Sequence, residues 1–200
     1  PYVLMPMHRE GHLVARARHR FEPLISVPLA KSEDIERARH KSRLIALARA
    51  LGLTVPKTAL PRDDRELERI AADFGYPAFV KLPDGVSGVG VRCVESAEEL
   101  VREFRAVANK YDAFGDDAPL VQAAVDGRDY CVAALFDHGR RVTSMVYESA
   151  VQYPPRRGPG VVRQTVHAPR LEQQTAELLR ALSWHGVAEV DFRWSGREVD

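Results

Sequence analysis

At 200 residues, with 45% apolar content and a net charge of +1, the chain can build one large core or two small ones. It lacks the basic excess of a nucleic-acid surface, and no run is long and apolar enough to span a bilayer or serve as a secretory h-region. Cys93 and Cys131 lie far apart in apolar, strand-like contexts without metal-type spacing, so they read as buried free thiols of a reducing, cytoplasmic compartment.

Tyr2 to Met7 reads as a short strand, residues 9–20 carry helix formers, and Pro23 to Leu29 returns to an extended run. Such a strand, helix, strand series is the tail of an α/β unit. His8, His12 and His19 are spaced too irregularly for a metal site. From Ser32, a plausible N-cap, one helix is expected through Leu51, with Gly52 closing it. His40 and Lys41 fall inside that helix, off its apolar stripe, where a solvated charge is the plainer reading.

A second helix, from about Asp63 to Phe74, leads into the stretch from Tyr76 to Val94. There the run Ala78-Phe79-Val80 ends on Lys81, and Gly85, Gly88 and Gly90 precede a second strand, Val91 to Val94. A glycine loop brings backbone N–H groups close to an anion, and a lysine suits phosphate oxygens. The stretch reads either as a phosphate-covering flap or as an ordinary hairpin with a loose tip. It is neither a Walker loop, because the lysine precedes the glycines, nor a dinucleotide fingerprint, because it runs into a strand rather than a helix. Ser96 and Glu99 then form a capping box, opening a helix with Leu100, Val101, Phe104, Val107 and Ala108 inward.

Beyond a polar joint, Tyr111 to Pro119, the chain is mostly strand. Leu120 to Val125 runs into Asp126-Gly127-Arg128-Asp129, and a hairpin turns at Asp137 to Arg140. The loop from Gln152 to Gly160 is rich in proline, arginine and glycine and reads as a binding loop or a surface excursion. A strand from Val161, a helix over about 170–182 and a strand from Val187 to Trp194 follow. By alternation Glu189 and Asp191 share one strand face, with Val190 and Phe192 on the other.

Five features stand in order: the lysine at 41, the Gly-Tyr-Pro-x-x-x-Lys strand with its glycine flap, the Leu-Val-Gln strand leading to Asp-Gly-Arg-Asp, the Val-Ala-Glu-Val-Asp-Phe strand, and the glycine turn after it. Together they resemble the ATP-grasp superfamily, which includes carboxylate–amine and carboxylate–thiol ligases and biotin-carboxylase-like enzymes. The resemblance covers nearly the whole chain. It implies an α+β, incomplete ATP-grasp fold, with two α+β subdomains clasping a nucleotide. Residues 1–35 would be the end of a pre-ATP-grasp unit, 36–118 a helix plus the small subdomain, and 119–200 the larger subdomain.

The resemblance implies ATP and Mg2+ as cofactors. By position, Lys41 and Lys81 match phosphate-contacting lysines, and Ser87, Gly88 and Gly90 match the flap. Gln122, Ala123 and Val125 fall in the adenine hinge, where Gln122 departs from the glutamate often found. Asp129 matches the ribose-binding acid and Asp191 the first metal-binding carboxylate. Lys81 and Asp191 would then face one cleft, and phosphoryl transfer to a carboxylate would give an acyl phosphate.

Arg157 and Arg163, with Arg156, are candidates for a small carboxylate substrate, though solubility explains surface arginines as well. The family's second metal-binding stretch, Glu-x-Asn, would follow Gly196, whereas the sequence stops at Asp200. The expectation is therefore a fragment that binds nucleotide weakly and turns over nothing, compatible with a homodimer. The alternative is a nucleotide-binding or structural module that keeps the fold without the chemistry.

Overall fold

The computed structural model describes residues 2–6, 8–85, 88–153 and 160–195. In chain order its helices are α1 (His8–Arg16), α2 (Ser32–Arg39), α3 (Lys41–Ala50), α4 (Asp64–Asp73), α5 (Ala97–Tyr111) and α6 (Pro169–Ala181). Its strands are β1 (Thr58–Ala59), β2 (Ala78–Lys81), β3 (Val91–Val94) and β4 (Leu120–Ala123), then β5 (Arg128–Asp137), β6 (Arg140–Gln152), β7 (Gly160–Val166) and β8 (Gly186–Trp194). They form two compact units. Unit 1 comprises residues 1–39, 127–151 and 160–200, and unit 2 comprises 40–126 and 152–159.

Unit 2 is a sheet in the order β1-β4-β2-β3, with β4, β2 and β3 antiparallel to their neighbours. The period of two along β2 buries Ala78 and Val80 and turns Phe79 and Lys81 the other way. α5 lies against β2 and β3 and packs on α4. The core between them holds Leu67, Phe74, Val80, Val94, Leu100 and Phe104. Both helices start on side-chain caps, Asp63 accepting from the Glu66 N–H at 2.7 Å and Ser96 from the Glu99 N–H at 3.2 Å. Cys93 pairs with Phe79 on the face turned from that core and is exposed, so the expected burial holds for Cys131 and fails for Cys93.

Unit 1 is a sheet in the order β7-β6-β5-β8. β5 is antiparallel to β6 and to β8, and a bulge between Leu135 and Phe136 interrupts its register with β6. One face, with Val132, Val146, Tyr130 and Phe192, packs against Ala168 and Leu171 of the α6 region. The N-terminal segment adds Ala15, Ala30 and Ile35, which cluster with Leu29 and Trp184. Gly186, at φ +96°, sits so close to residue 28 that a Cβ there would fall 1.9 Å from the Pro28 carbonyl oxygen.

Two expectations change. Among the described residues, the strands expected over 2–7 and 23–29 amount to a single parallel bridge, Val3 with Ser26, because Pro6, Pro23 and Pro28 lack the N–H a longer ladder needs. The single helix expected from Ser32 to Leu51 is two. His40 is extended (φ −79°, ψ 104°), and the Lys41 N–H donates to the Pro83 carbonyl at 2.9 Å instead of continuing α2.

Leu100 is fully buried, so Leu100→Ala should lower unfolding free energy by about 2–5 kcal/mol. Ser96→Ala, which removes only a cap, should cost about 0.5–2 kcal/mol. Urea unfolding of the two variants checks both values and their order.

Candidate functional site

In unit 2 the break at His40 decides where Lys41 goes. His40 is itself buried, its Nδ1 2.7 Å from Ser42 Oγ and its Nε2 3.4 Å from Asp117. Lys41 therefore opens α3 instead of riding on the middle of a helix. Its ammonium donates to the Pro83 carbonyl at 3.4 Å and to the Gly85 carbonyl at the root of the glycine loop. Burial lowers its pKa below the usual lysine value, the Lys81 ammonium lowers it further, and Asp84 opposes them.

Lys81, at the end of β2, donates to Gln122 Oε1 at 2.7 Å. The Gln122 amide in turn donates to Thr58 Oγ1 at 3.1 Å, and Thr58 to the Pro56 carbonyl at 2.9 Å. A glutamine serves here because its amide has both an acceptor for the ammonium and a donor for the hydroxyl. Ala123 ends β4, its N–H donating to the Lys57 carbonyl at 2.9 Å, and Val125 lies just beyond, exposed.

The loop after Lys81 folds back on itself. The Leu82 N–H donates to the Gly90 carbonyl at 3.2 Å, and Gly88 and Gly90 both have positive φ. At Gly90 a side chain would also strike Leu82, 2.3 Å from a built Cβ, so glycine is required twice over. Ser87 and Arg157, and Arg156 with it, lie outside the described residues.

Unit 1 presents a second constellation on the sheet face opposite α6. Asp191 pairs with Cys131 across β8 and β5, Asp129 with Arg193, and Cys131 with Tyr147 across β5 and β6. Arg193 donates to Asp129 at 2.5 Å. Tyr147 donates its hydroxyl to Glu189, while Arg163 stacks 4.6 Å over the Tyr147 ring and stands 3.7 Å from Glu189.

Although the residue reaches solvent, burial by the surrounding protein raises the Asp191 pKa. Glu189 and Asp129 raise it too, against a hydrogen bond with Cys131 and the charge of Arg163. Burial likewise pushes the Cys131 thiol up to about 12, so it stays protonated, and pushes the Tyr147 hydroxyl well above the usual range.

Thus Lys41, Lys81 and Gln122 come together with the glycine loop, and Asp129, Arg163 and Asp191 share the open face of the other sheet. Sequence reading overlooked Thr58, Cys131, Tyr147 and Arg193 as parts of these groups. Alternation hints at Cys131, two residues after Asp129, but only strand pairing sets it opposite Asp191.

The family model for the D-Ala–D-Ala ligase C-terminus matches residues 45–198. The chain belongs to this family, within the ATP-grasp superfamily. It is 31% identical over 181 residues to the carbamoyl phosphate synthase large chain of Methanothrix thermoacetophila, covering 86% of this chain and 16% of that one. It is 28% identical over 180 residues to the D-alanine–D-alanine ligase of Geobacter sulfurreducens, covering 84% of this chain and 55% of the ligase. This ATP-grasp chain therefore spans only part of such relatives.

Among solved structures, the biotin carboxylase domain of Hydrogenobacter thermophilus 2-oxoglutarate carboxylase, a dimer crystallised with MgADP, ADP and bicarbonate, superposes with TM-score 0.75 at 20% identity. That match covers 95% of this chain and 44% of the other. The VanG D-Ala:D-Ser ligase of Enterococcus faecalis superposes with TM-score 0.69 at 19% identity, covering 91% of this chain and 56% of the other. The two antiparallel sheets are accordingly those of a partial ATP-grasp fold. Among the described residues no helix is long and apolar enough to cross a membrane.

The lowered pKa of Lys41 carries a sign that can be tested. Between that pKa and the unfolded value of 10.5, the unfolded chain holds more protons than the folded one, so this group's contribution to stability rises with pH. Unfolding free energies followed from pH 7 to pH 11 should show the wild type gaining on Lys41→Met as pH rises. Lys81→Met, which removes one cause of the shift, should shrink that gain.

Proposed function

We propose that this chain is the nucleotide-binding portion of an ATP-dependent carboxylate ligase that works through an acyl phosphate. The observation carrying this reading is the pairing of two ammonium groups, Lys41 and Lys81, beside a glycine loop, at the expense of the Lys41 pKa. Like charges kept near each other in a partly buried setting are stabilised by a ligand of opposite sign. A polyphosphate is such a ligand, and the glycine loop allows it close backbone approach.

Unit 1 holds the complementary case. Asp191 is raised in pKa by burial and by Glu189 and Asp129, a concentration of hard oxygen ligands that suits Mg2+. Asp191, with Glu189 beside it, would hold the ion, whose bound charge would neutralise phosphate oxygens. Asp129 would accept from ribose hydroxyls after exchanging its Arg193 partner. Gln122 and the backbone at Ala123 and Val125 would meet the adenine, and Gly88, Gly90 and Ser87 would cover the phosphates. Arg163, already stacked on Tyr147, would orient a small carboxylate, with Arg157 a second candidate.

The chemistry asks the protein for position and charge rather than for a nucleophile. A γ-phosphoryl group moves to a carboxylate oxygen, ADP leaves, and an amine or thiol then displaces phosphate from the acyl carbon.

Calorimetry with MgATP tests the binding half of this proposal. Lys81→Ala should weaken binding by about 1–3 kcal/mol through loss of a charge-assisted hydrogen bond. Asp191→Asn should weaken binding of MgATP but not of metal-free ATP. Unchanged affinity in both variants would overturn the reading. For the chemical half, hydroxylamine added with ATP and candidate acids should trap an acyl phosphate as a hydroxamate. Nucleotide binding without any trapped product, in a version extended through a Glu-x-Asn stretch after Gly196, would mark a binding module instead.

A further inference from the structure

We propose that Asp137, His138 and His185 form a site for one divalent transition-metal ion of the zinc class, separate from the carboxylates around Asp191. One ligand atom from each of the three lies within 4.8 Å of the others. Asp137 Oδ1 is 2.9 Å from His138 Nδ1 and 3.5 Å from His185 Nδ1. The two imidazoles are stacked, with centroids 4.1 Å apart and planes 26° from parallel.

His185 Nδ1 is the pointed observation. It is shut off from solvent and makes no hydrogen bond, an arrangement that costs stability when nothing is bound. A metal ion shared with Asp137 and His138 would use that lone pair once the exposed His138 ring turns out of its stack on His185, bringing both ring planes onto the ion.

The ligands sit on two segments pinned together by backbone. Asp137 ends β5 and His138 occupies the β5–β6 turn at φ +48°, followed by Gly139 at φ +85°. The Gly139 N–H donates at 2.7 Å to the carbonyl of Trp184, the residue before His185. Arg140 holds Asp137 Oδ2 at 3.0 Å, leaving Oδ1 to the imidazoles, as an outer-shell partner orients a ligating carboxylate. Arg18, which lines the same depression as His185, is tied to the carbonyls of Leu29 and Ala30 and paired with Glu22 at 3.5 Å. Entry is open, since the His138 side chain is 76% exposed and both histidines border a polar depression with Arg18, Glu22 and Ser26.

The donor set names the class of ion. Two imidazoles and one carboxylate suit Zn2+, Ni2+ or Cu2+, whereas Mg2+ and Ca2+ prefer all-oxygen sites. Three protein ligands leave a further position for water. The site lies at the other end of β5 from Asp129, roughly 25 Å along the strand, so it is independent of the ligase reading. Bound metal would fasten the β5–β6 turn to the start of β8.

Equilibrium dialysis of the whole protein against ZnCl2, with MgCl2 as competitor, tests the proposal. The background is Cys93→Ser, which removes the exposed thiol. The expected result is one Zn2+ per chain, undisturbed by Mg2+, and a rise in melting temperature on adding zinc. His138→Asn and His185→Gln should each weaken zinc at least about tenfold, since losing a ligand costs no less than losing a ligand's outer-shell partner. Asn is chosen at 138 because it tolerates positive φ. Should His185→Gln fail to fold, the exposed His138→Asn variant decides. Asp191→Asn should leave zinc binding unchanged. The proposal is overturned by absence of zinc binding, by displacement with Mg2+, by equal affinity in His138→Asn, or by loss of zinc in Asp191→Asn.

Discussion

Strand alternation against a helical layer is the constraint on which the chemistry depends. Val80 and Ala78 are buried under α5, so Lys81 has no choice of face. In the other sheet Val132 and Val146 are claimed by the α6 region, so Cys131, Tyr147 and the β8 residues paired with β5 on that side must face away. A slip of one residue in either sheet would exchange apolar for ionic side chains throughout. The cores thus do more than stabilise the units, because they fix which side chains are left for a ligand.

Much of this was legible in the sequence because it is local. The caps at Asp63 and Ser96, the glycine-rich loop after Lys81, the hairpin at Asp137 to Arg140 and the shared face of Glu189 and Asp191 each follow from a few adjacent residues. What escaped was set by distant ones. Nothing in the run from Ser32 to Leu51 interrupts a helix; the break at His40 comes from burial of that side chain and from the carbonyl of Pro83, 42 residues beyond Lys41. The exposure of Cys93 depends on its register opposite Phe79, which puts it on the side of the sheet turned from the core. His138 and His185 are unremarkable in sequence and meet only because β5 and β8 are neighbours.

The break at His40 also changes what Lys41 is. On a continuous helix it would be an exposed lysine with a flexible stem. At the first position of α3 it is partly buried, with its ammonium tied to carbonyls of the loop it would help to close. A group so placed has lost much of its side-chain freedom before any ligand arrives, which lowers the entropic penalty of binding. Lys81 is held in a similar way by Gln122 and, through it, by Thr58.

The approach of Gly186 to the Pro28 carbonyl bears on where the polypeptide can be cut. Among the described residues of 1–39, β structure amounts to the Val3–Ser26 bridge, so excision would look harmless by secondary structure. Yet they cover Trp184, and their backbone rests against the first residue of β8 where no side chain fits. Removing them would bare an indole and an unsupported strand end beside the larger sheet. A minimal soluble version of unit 1 must therefore keep its amino-terminal arm.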